Sequence, residues 1–389
     1  MKNSDGKWPF TGQTNPAGSI GHGLLQEWPL LFSLATVLAF LISGQSLLAD
    51  LAHPLRFMLI LTWLLLIMLF SAFAVVRHAD SLAEKLPEPL GTLVLTLSIT
   101  AIEVMIIIAT MLTEHGSPTL ARDAMFAVIM IILNGMVGLT LLIGGLKYKE
   151  QDYNLQGANS FLAVILPLAV IGLVLPNYTR SSPDQTFSPI QAGFLIIVSV
   201  ALYGIFLTIQ NGRHRAYFRA PLTPETKNSK RKWRIIHEVH SVPYHLLLLL
   251  AYMGPLVFLS HQIAVPIDFT VRVLGAPVAL AGLLIAILVL APESLSAVRA
   301  ALTNDLQRSV NILLGSALAT IGLTIPAVLT FGLLSHKQII LGLEPANITL
   351  LALTLVLSTM TFSSSRTNVL LGSVHLLLFF AYLLLIFQR

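Results

Sequence analysis

The chain has 389 residues, of which 55% are hydrophobic and 11% charged, with a formal net charge of +5 and no cysteine. An average soluble domain is about 25% charged, so this is the composition of an integral membrane protein, and the lack of cysteine excludes disulfides, thiolate metal sites and a cysteine nucleophile. The positive balance does not point to nucleic acid, because the basic residues sit in short connections between apolar runs, where they act as topology signals.

Residues 1–27 are polar and rich in Gly, Asn and Ser, with no cationic start leading into a short apolar core. They read as a polar tail without a cleavable signal and without chemistry of its own. Apolar runs of about 20 residues, the length that crosses a bilayer as a helix, then follow at 28–48, 56–76, 89–112, 122–146, 159–176, 190–210, 242–261, 272–299, 309–334, 347–364 and 367–387. The expected fold is an all-α membrane protein of about eleven transmembrane helices. The fifth run is short and ends at Pro176. The eighth is long and contains Pro292, which has no amide proton and is expected to interrupt it.

Between the sixth and seventh runs lies the long polar connection 211–241, with Arg213, Arg215, Arg219, Lys227, Lys230, Arg231, Lys232 and Arg234. Alternate connections counted outward from it add Lys2, Lys7, Arg77, Lys85, Lys147, Lys149, Arg299, Arg308 and Arg366 to the same side. The opposite side holds Arg56, Arg122, Arg180, Arg272, Lys337 and Arg389. Seventeen of the 23 cations on one side make that side the cytoplasm. The N-terminus is therefore expected inside and the C-terminus outside, in the cytoplasmic (inner) membrane. The basic loop has a second reading, as a lipid-binding or regulatory segment, but topology alone accounts for its charge.

This order divides the chain into a tail (1–27), a first helix with its connection (28–55), five runs (56–210), the basic loop (211–241) and five further runs (242–389). A repeat with an odd number of crossings re-enters the membrane from the opposite side, so the two groups are expected to form an inverted pair, as in many secondary transporters.

The third run, GTLVLTLSITAIEVMIIIATMLT, carries a lone carboxylate, Glu103. At about 1.5 Å per residue it lies roughly 18 Å from Gly91 and 15 Å from Thr113, near the middle of a ~30 Å hydrocarbon core. A charge there costs roughly 2.5 to 3.5 kcal/mol on insertion scales, which marks it as a candidate ion or proton site. The second group repeats the arrangement, with Glu293 in APVALAGLLIAILVLAPESLSAV. Each acidic run precedes one with small and polar residues: Asn134, Gly135 and Gly138 after the first, Asn311, Gly315, Ser316 and Thr320 after the second. Small residues allow close helix approach, and side-chain oxygens can complete a cation shell. The alternative is structural: each glutamate protonated and hydrogen-bonded inside the bundle. Recurrence at matching positions of two halves favours function.

At these residues the chain resembles the calcium:cation antiporter superfamily, in its calcium/proton exchanger branch, with greatest likeness to bacterial ChaA-type sodium-potassium-calcium/proton antiporters. The resemblance runs from about residue 56 to the end. It is carried by FSAFAVVRHADSLAEKLPEPLG, RDAMFAVIMIILNGMVGLTLLIGG, LAPESLSAVRAALTNDLQRSVNILLGSALATIGLTIP and SSSRTNVLLGSVHLLLFFAYL, in that order. It implies that Glu103 and Glu293 bind the cation at the membrane centre. It implies cargo of Ca2+, Na+ or K+ exchanged for H+, with no cofactor and no enzyme activity. The chain departs from the family's G-N-x-x-E pattern, reading ITAIE at 99–103 and VLAPE at 289–293, so Thr100 and Leu290 stand where asparagine is usual. The small-polar pair of the following helix is missing at Ala127 and Val128 but kept at Gly315 and Ser316. Calcium prefers six to eight oxygens, so the poorer set favours sodium or potassium. The neutral ligand candidates are Ser98, Thr100, Asn134, Asn311, Ser316 and Thr320.

Exchange needs one site that cannot hold both ions. Two facing carboxylates repel when both are ionised; protons relieve that repulsion, and so does a cation between them, so the two compete. A passive cation channel is the alternative function, using the same carboxylates without proton coupling. His375, in the last run, reads equally as a proton relay and as a neutral residue bonded within the bundle. Arg77, His78 and His245 read as orientation anchors at the membrane edge. HEVH at 237–240 lacks the i, i+4 histidine pair of a zinc protease helix, and Gly144–Gly145 reads as a helix stop. The partners expected are inorganic cations, protons and membrane lipid, with no nucleic acid. No feature fixes an oligomeric state.

Overall fold

The computed structural model describes residues 27–86, 90–113, 117–180, 182, 184–219 and 241–388. The polar tail, most of the basic loop and the HEVH stretch lie outside the described residues.

Among the described residues, eleven long helices follow in chain order: α1 (Trp28–Leu48), α2 (Pro54–Lys85), α3 (Leu90–Met111), α4 (Leu120–Tyr148), α5 (Leu155–Leu173), α6 (Pro189–Asn211), α7 (Val242–Arg272), α8 (Val278–Leu302), α9 (Leu306–Ser335), α10 (Pro345–Thr361) and α11 (Val369–Phe387). Among the described residues, nine are long and apolar enough to cross a membrane, while α3 and α10 have shorter apolar stretches, Thr96–Met111 and Pro345–Thr361. The protein is an all-α membrane protein. Helix starts follow local chemistry. Pro54, Pro189 and Pro345 occupy first positions, where a missing amide proton is harmless. Ser188 and Gln191 form a capping box on α6, and Asn154 and Asn368 cap α5 and α11.

Three boundaries differ from expectation. α2 continues past residue 76 to Lys85, because RHADSLAEK is polar but helix-competent and its His78, Ala79, Ser81 and Leu82 are buried by neighbours. α7 runs through Pro255 and Pro266 to Arg272. α8 starts only at Val278 and is continuous through Pro292, so the expected interruption is absent. Neighbouring helices let proline persist inside membrane helices, and here Pro292 is itself buried by its neighbours.

The packing is paired. α4 lies against α8 and α11, and α9 lies correspondingly against α3 and α6; α2 meets α3 and α8 as α7 meets α8 and α3. α4 and α9 are the most buried helices and α1 the least. Each of the two buried helices contains a π-helical segment, Met130–Met136 in α4 and Thr320–Thr324 in α9, a distortion found most often at functional sites. α4 and α11 cross in near backbone contact: a Cβ on Gly138 would lie 2.9 Å from the Gly372 carbonyl, and one on Gly372 would lie 2.6 Å from the Leu142 nitrogen.

Alternate connections meet at opposite ends. At one end, strands β1 (Gln151–Asp152) and β2 (Arg366–Thr367) pair antiparallel. There Lys147 and Tyr148 also donate to the Leu302 carbonyl, each at 2.8 Å. At the other end, the Ile340 amide donates to Pro118 and the Gly342 amide to Gln185. The first of these ends also carries the basic connection after α6.

Candidate cation site

Glu103 on α3 and Glu293 on α8 line one cavity of about 280 Å3 inside the bundle. Both carboxylates face one stripe of α9. The Thr320 hydroxyl donates to Glu103 Oε2 at 3.0 Å, and the Ser316 hydroxyl donates to Glu293 Oε2. Residues four apart on a helix are one above the other, with about 5–6 Å between Cβ atoms, so α9 holds the two acids side by side. Thr324, one turn beyond Thr320, faces the Glu103 carboxyl as well. Glu103 is 2% exposed. Its Oε1 and the Thr324 Oγ1 are buried without a hydrogen-bond partner among the described residues. A buried carboxylate oxygen without a donor is unfavourable, and either a proton or a cation held with the hydroxyl oxygens around it would satisfy it.

On α3, Thr96, Thr100 and Glu103 follow one helical stripe, and all three line the cavity. Ser98 lies off that stripe, and its hydroxyl donates to the Val94 carbonyl at 2.7 Å. Asn311 lines the cavity, but its amide donates to the Phe218 carbonyl at 2.7 Å and its oxygen accepts from Gln307 at 2.9 Å. Asn134 does not join the glutamates. Its amide donates to the Thr354 hydroxyl at 2.7 Å, and its oxygen is 3.2 Å from His375 Nδ1. His375 is fully buried, with Nε2 2.9 Å from the Thr361 hydroxyl. A neutral ring donating through Nδ1 and accepting at Nε2 satisfies both contacts. This network ties α4, α10 and α11 together, and neither His375 nor Asn134 lines the cavity.

The structure adds residues that the sequence did not single out. Asp80 of α2, Tyr203 and Gln210 of α6, Ser296 of α8 and Arg308 of α9 line the same cavity. Ser296 was legible, three residues after Glu293 on the same helical face. Asp80 lies in a polar stretch with a second acid, Glu84, that reads as a helix end, and Tyr203 and Gln210 carry no local signal. Arg308 is exposed, so the cavity extends from the glutamates to the end that carries the basic connection. A wider depression of about 580 Å3 at the opposite end shares none of these residues. There Arg122 of α4 donates to Asp123 at 2.8 Å and to the Gly342 carbonyl at 3.0 Å, with Glu344 at 3.7 Å. These contacts tie α4 to the connection before α10 on the far side of the glutamates.

Residues 56–212 and 244–388 match the family described as sodium/calcium exchanger protein. The sodium-potassium/proton antiporter ChaA of Escherichia coli (strain K12) is 37% identical over 366 residues, 93% of this chain and 96% of that protein. The solved structure of native YfkE superposes with a TM-score of 0.69 at 16% identity, covering 93% of this chain and 100% of that one. The crystal structure of the H+/Ca2+ exchanger CAX gives 0.63 at 18% identity, covering 92% and 88%. At these identities the two structures establish a shared fold.

Proposed function

The chain belongs to the sodium/calcium exchanger protein family, a family of cation exchangers, and we propose that it is a secondary antiporter exchanging Na+, K+ or Ca2+ for H+. Glu103 and Glu293 hold the cation and the protons in turn. The observation that carries this reading is the pair of intramembrane glutamates, from the second helix of each five-helix group, meeting on one hydroxyl stripe of α9 in a cavity that reaches one end of the bundle. Likeness to a sodium-potassium/proton antiporter over 93% of the chain supports proton coupling.

With both acids ionised, their mutual repulsion and the unpartnered Oε1 favour capture of positive charge. A cation takes the carboxylate oxygens with the hydroxyls of Thr320, Ser316, Thr324 and Thr100; protons neutralise the same oxygens instead. Asp80 and Arg308 line the approach to the site. The two groups of five helices, inverted with respect to each other, rock about the site, and the empty, doubly charged form does not cross. Exchange follows from that competition. The orientation that accompanies this reading puts the basic connection in the cytoplasm, so the cavity is open to the inside in the present arrangement. The test is proton release from the purified protein in vesicles on adding Na+, K+ or Ca2+ separately. Cation flux down its gradient with no proton movement would replace the exchanger with a channel.

A further inference from the structure

A second group of buried ionisable side chains sits at the loop-bearing end, away from the central cavity. Glu27, immediately before α1, is 7% exposed. Its two oxygens accept from Arg77 Nη2 of α2 at 2.7 and 2.8 Å, and Oε2 also accepts from the Tyr252 hydroxyl of α7 at 2.8 Å. His78 lies between this carboxylate and a second imidazole: its Nε2 is 3.3 Å from Glu27 Oε2, and its Nδ1 is 3.0 Å from His245 Nδ1 of α7. Arg77 Nη2 is 3.4 Å from His78 Nε2, and the Tyr244 ring stands edge-on to both imidazoles. Among the described residues, the titratable and charged groups that meet here from α1, α2 and α7 are therefore Glu27, Arg77, His78, Tyr244, His245 and Tyr252. Asp80, on the next turn of α2, lines the central cavity instead.

Two ring nitrogens 3.0 Å apart need one proton between them. With both rings neutral, one donates and the other accepts. One added proton also fits: His78 donates from Nε2 to Glu27 and from Nδ1 to His245, which then presents its Nδ1 lone pair. A second added proton would set N–H against N–H, which this geometry excludes. A metal ion between the two Nδ1 atoms would have only those ligands, because Glu27 lies on the other edge of the His78 ring, and zinc takes four. The arrangement suits a proton and only one.

We infer that Glu27, His78 and His245 form a second proton-binding site, separate from the transport glutamates, whose occupancy clamps α1, α2 and α7 together at the loop-bearing end. Bonds from an imidazolium are roughly twice as strong as those from a neutral ring. α2 and α7 open the two five-helix groups, so the His78–His245 contact is a contact between halves. Occupied, the site holds the present arrangement with charge-assisted bonds; emptied, it keeps only the weaker neutral bond between the rings, and the halves rearrange more readily. Its effect on transport rests on the exchanger reading, while the site itself does not. Acidification on the loop side slows exchange and alkalinisation releases it.

Trp28 adjoins Glu27 and packs on Phe70 of α2 with ring centroids 5.1 Å apart, so its emission reports the clamp. With Trp8, Trp63 and Trp233 replaced by Phe, Trp28 emission is titrated from acid to alkaline pH, and exchange in vesicles is followed against loop-side pH. A one-proton transition is expected in the emission, and on its acid side exchange falls by up to about tenfold per pH unit beyond the competition at the two glutamates. His78→Gln and His245→Asn each remove the emission transition and leave exchange with a profile shallower by up to about tenfold per pH unit on the acid side, set by competition at the two glutamates alone, while Glu103→Gln and Glu293→Gln leave the emission transition in place. The inference is overturned if both histidine variants keep the parent's emission and exchange profiles, or if the glutamine variants abolish the emission transition. A parent that moves no protons against cations yet keeps the emission transition would remove the exchanger reading and leave the site standing.

Discussion

Glu103→Gln is the sharpest perturbation of the transport site, because the amide keeps the carboxylate's shape while removing its charge. The substituted side chain still meets the Thr320 hydroxyl, which lies 3.0 Å from the native Oε2, so the fold has little reason to change. What is lost is one of two acids in a cavity where Glu103 is 2% exposed and water screens weakly. The bound cation and the carboxylate form a buried charge pair, and removing one partner of such a pair costs about 3 to 5 kcal/mol, which at about 1.4 kcal/mol per decade is roughly a 140- to 4,000-fold loss of cation affinity. Glu293→Gln removes the other acid and should fall in the same range. The assay is cation-triggered proton flux in vesicles, with gel filtration and thermal melting to establish that each variant is folded. Flux within about threefold of wild type in either folded variant, against a loss of this size, would refute the assignment of that glutamate to the coupling site.

A tag placed between Thr223 and Ser229 should label only from the cytoplasmic side and one after Arg389 only from outside; both on one side would break the inverted repeat. Gly372→Val should lower the melting temperature in detergent, since its Cβ would fall 2.6 Å from the Leu142 nitrogen, and overpacking of this kind costs about 1 to 3 kcal/mol; an unchanged melt would mean that α4 and α11 separate freely. Burial works to raise the Glu27 carboxyl, but hydrogen bonds from His78 and Tyr252 and the Arg77 charge outweigh it and hold the group below its ordinary value. A carboxylate depressed in the folded state stabilises above its unfolded value and loses that contribution as pH falls through the folded one. Wild type should therefore melt above Glu27→Gln near neutral pH, with the gap closing below about pH 4.5; a gap that widens on acidification would contradict the sign.

The helices were legible because the hydrocarbon core demands long apolar runs, and that signal needs no tertiary information. Their ends were less so: the last turns of α2 are polar, and only the helices packed on His78 and Leu82 explain why the chain stays helical there. Pro292 misled for a related reason, since a lone sequence shows the missing amide but not the surroundings that tolerate it. Glu103 and Glu293 stood out because charge in an apolar run is costly, and Ser316 and Thr320 followed from helical spacing. Asn134 had the right chemistry and helix, yet its amide meets Thr354 and its oxygen His375, partners 220 and 241 residues away. Glu27, His78 and His245 read singly as edge residues, and their meeting across separations of 51 and 167 residues has no local signature.

That same distribution of partners bears on ion choice. Calcium prefers six to eight oxygens, with carbonyl and carboxylate oxygens foremost. Around the two glutamates, among the described residues, the structure offers mainly the hydroxyls of Ser316, Thr320, Thr324 and Thr100: Leu290 has no oxygen in its side chain, Asn134 faces away, the Asn311 oxygen accepts from Gln307, and Gln210 lines the cavity from α6 without touching either carboxylate in a hydrogen bond. Hydroxyls and two carboxylates suit a monovalent ion, and a divalent ion becomes competitive when both acids are ionised together. Sodium or potassium should therefore drive proton exchange at millimolar concentration, with calcium accepted mainly at alkaline pH. Thr100 is buried and lines the cavity one helical turn before Glu103. Thr100→Asn supplies the missing amide oxygen there and should shift preference toward calcium, measured as the ratio of half-saturating sodium to half-saturating calcium for proton release at fixed pH. Strict calcium exchange at neutral pH in the unaltered protein, with no response to either monovalent ion, would show that backbone oxygens complete the shell and that side-chain ligands do not decide the ion.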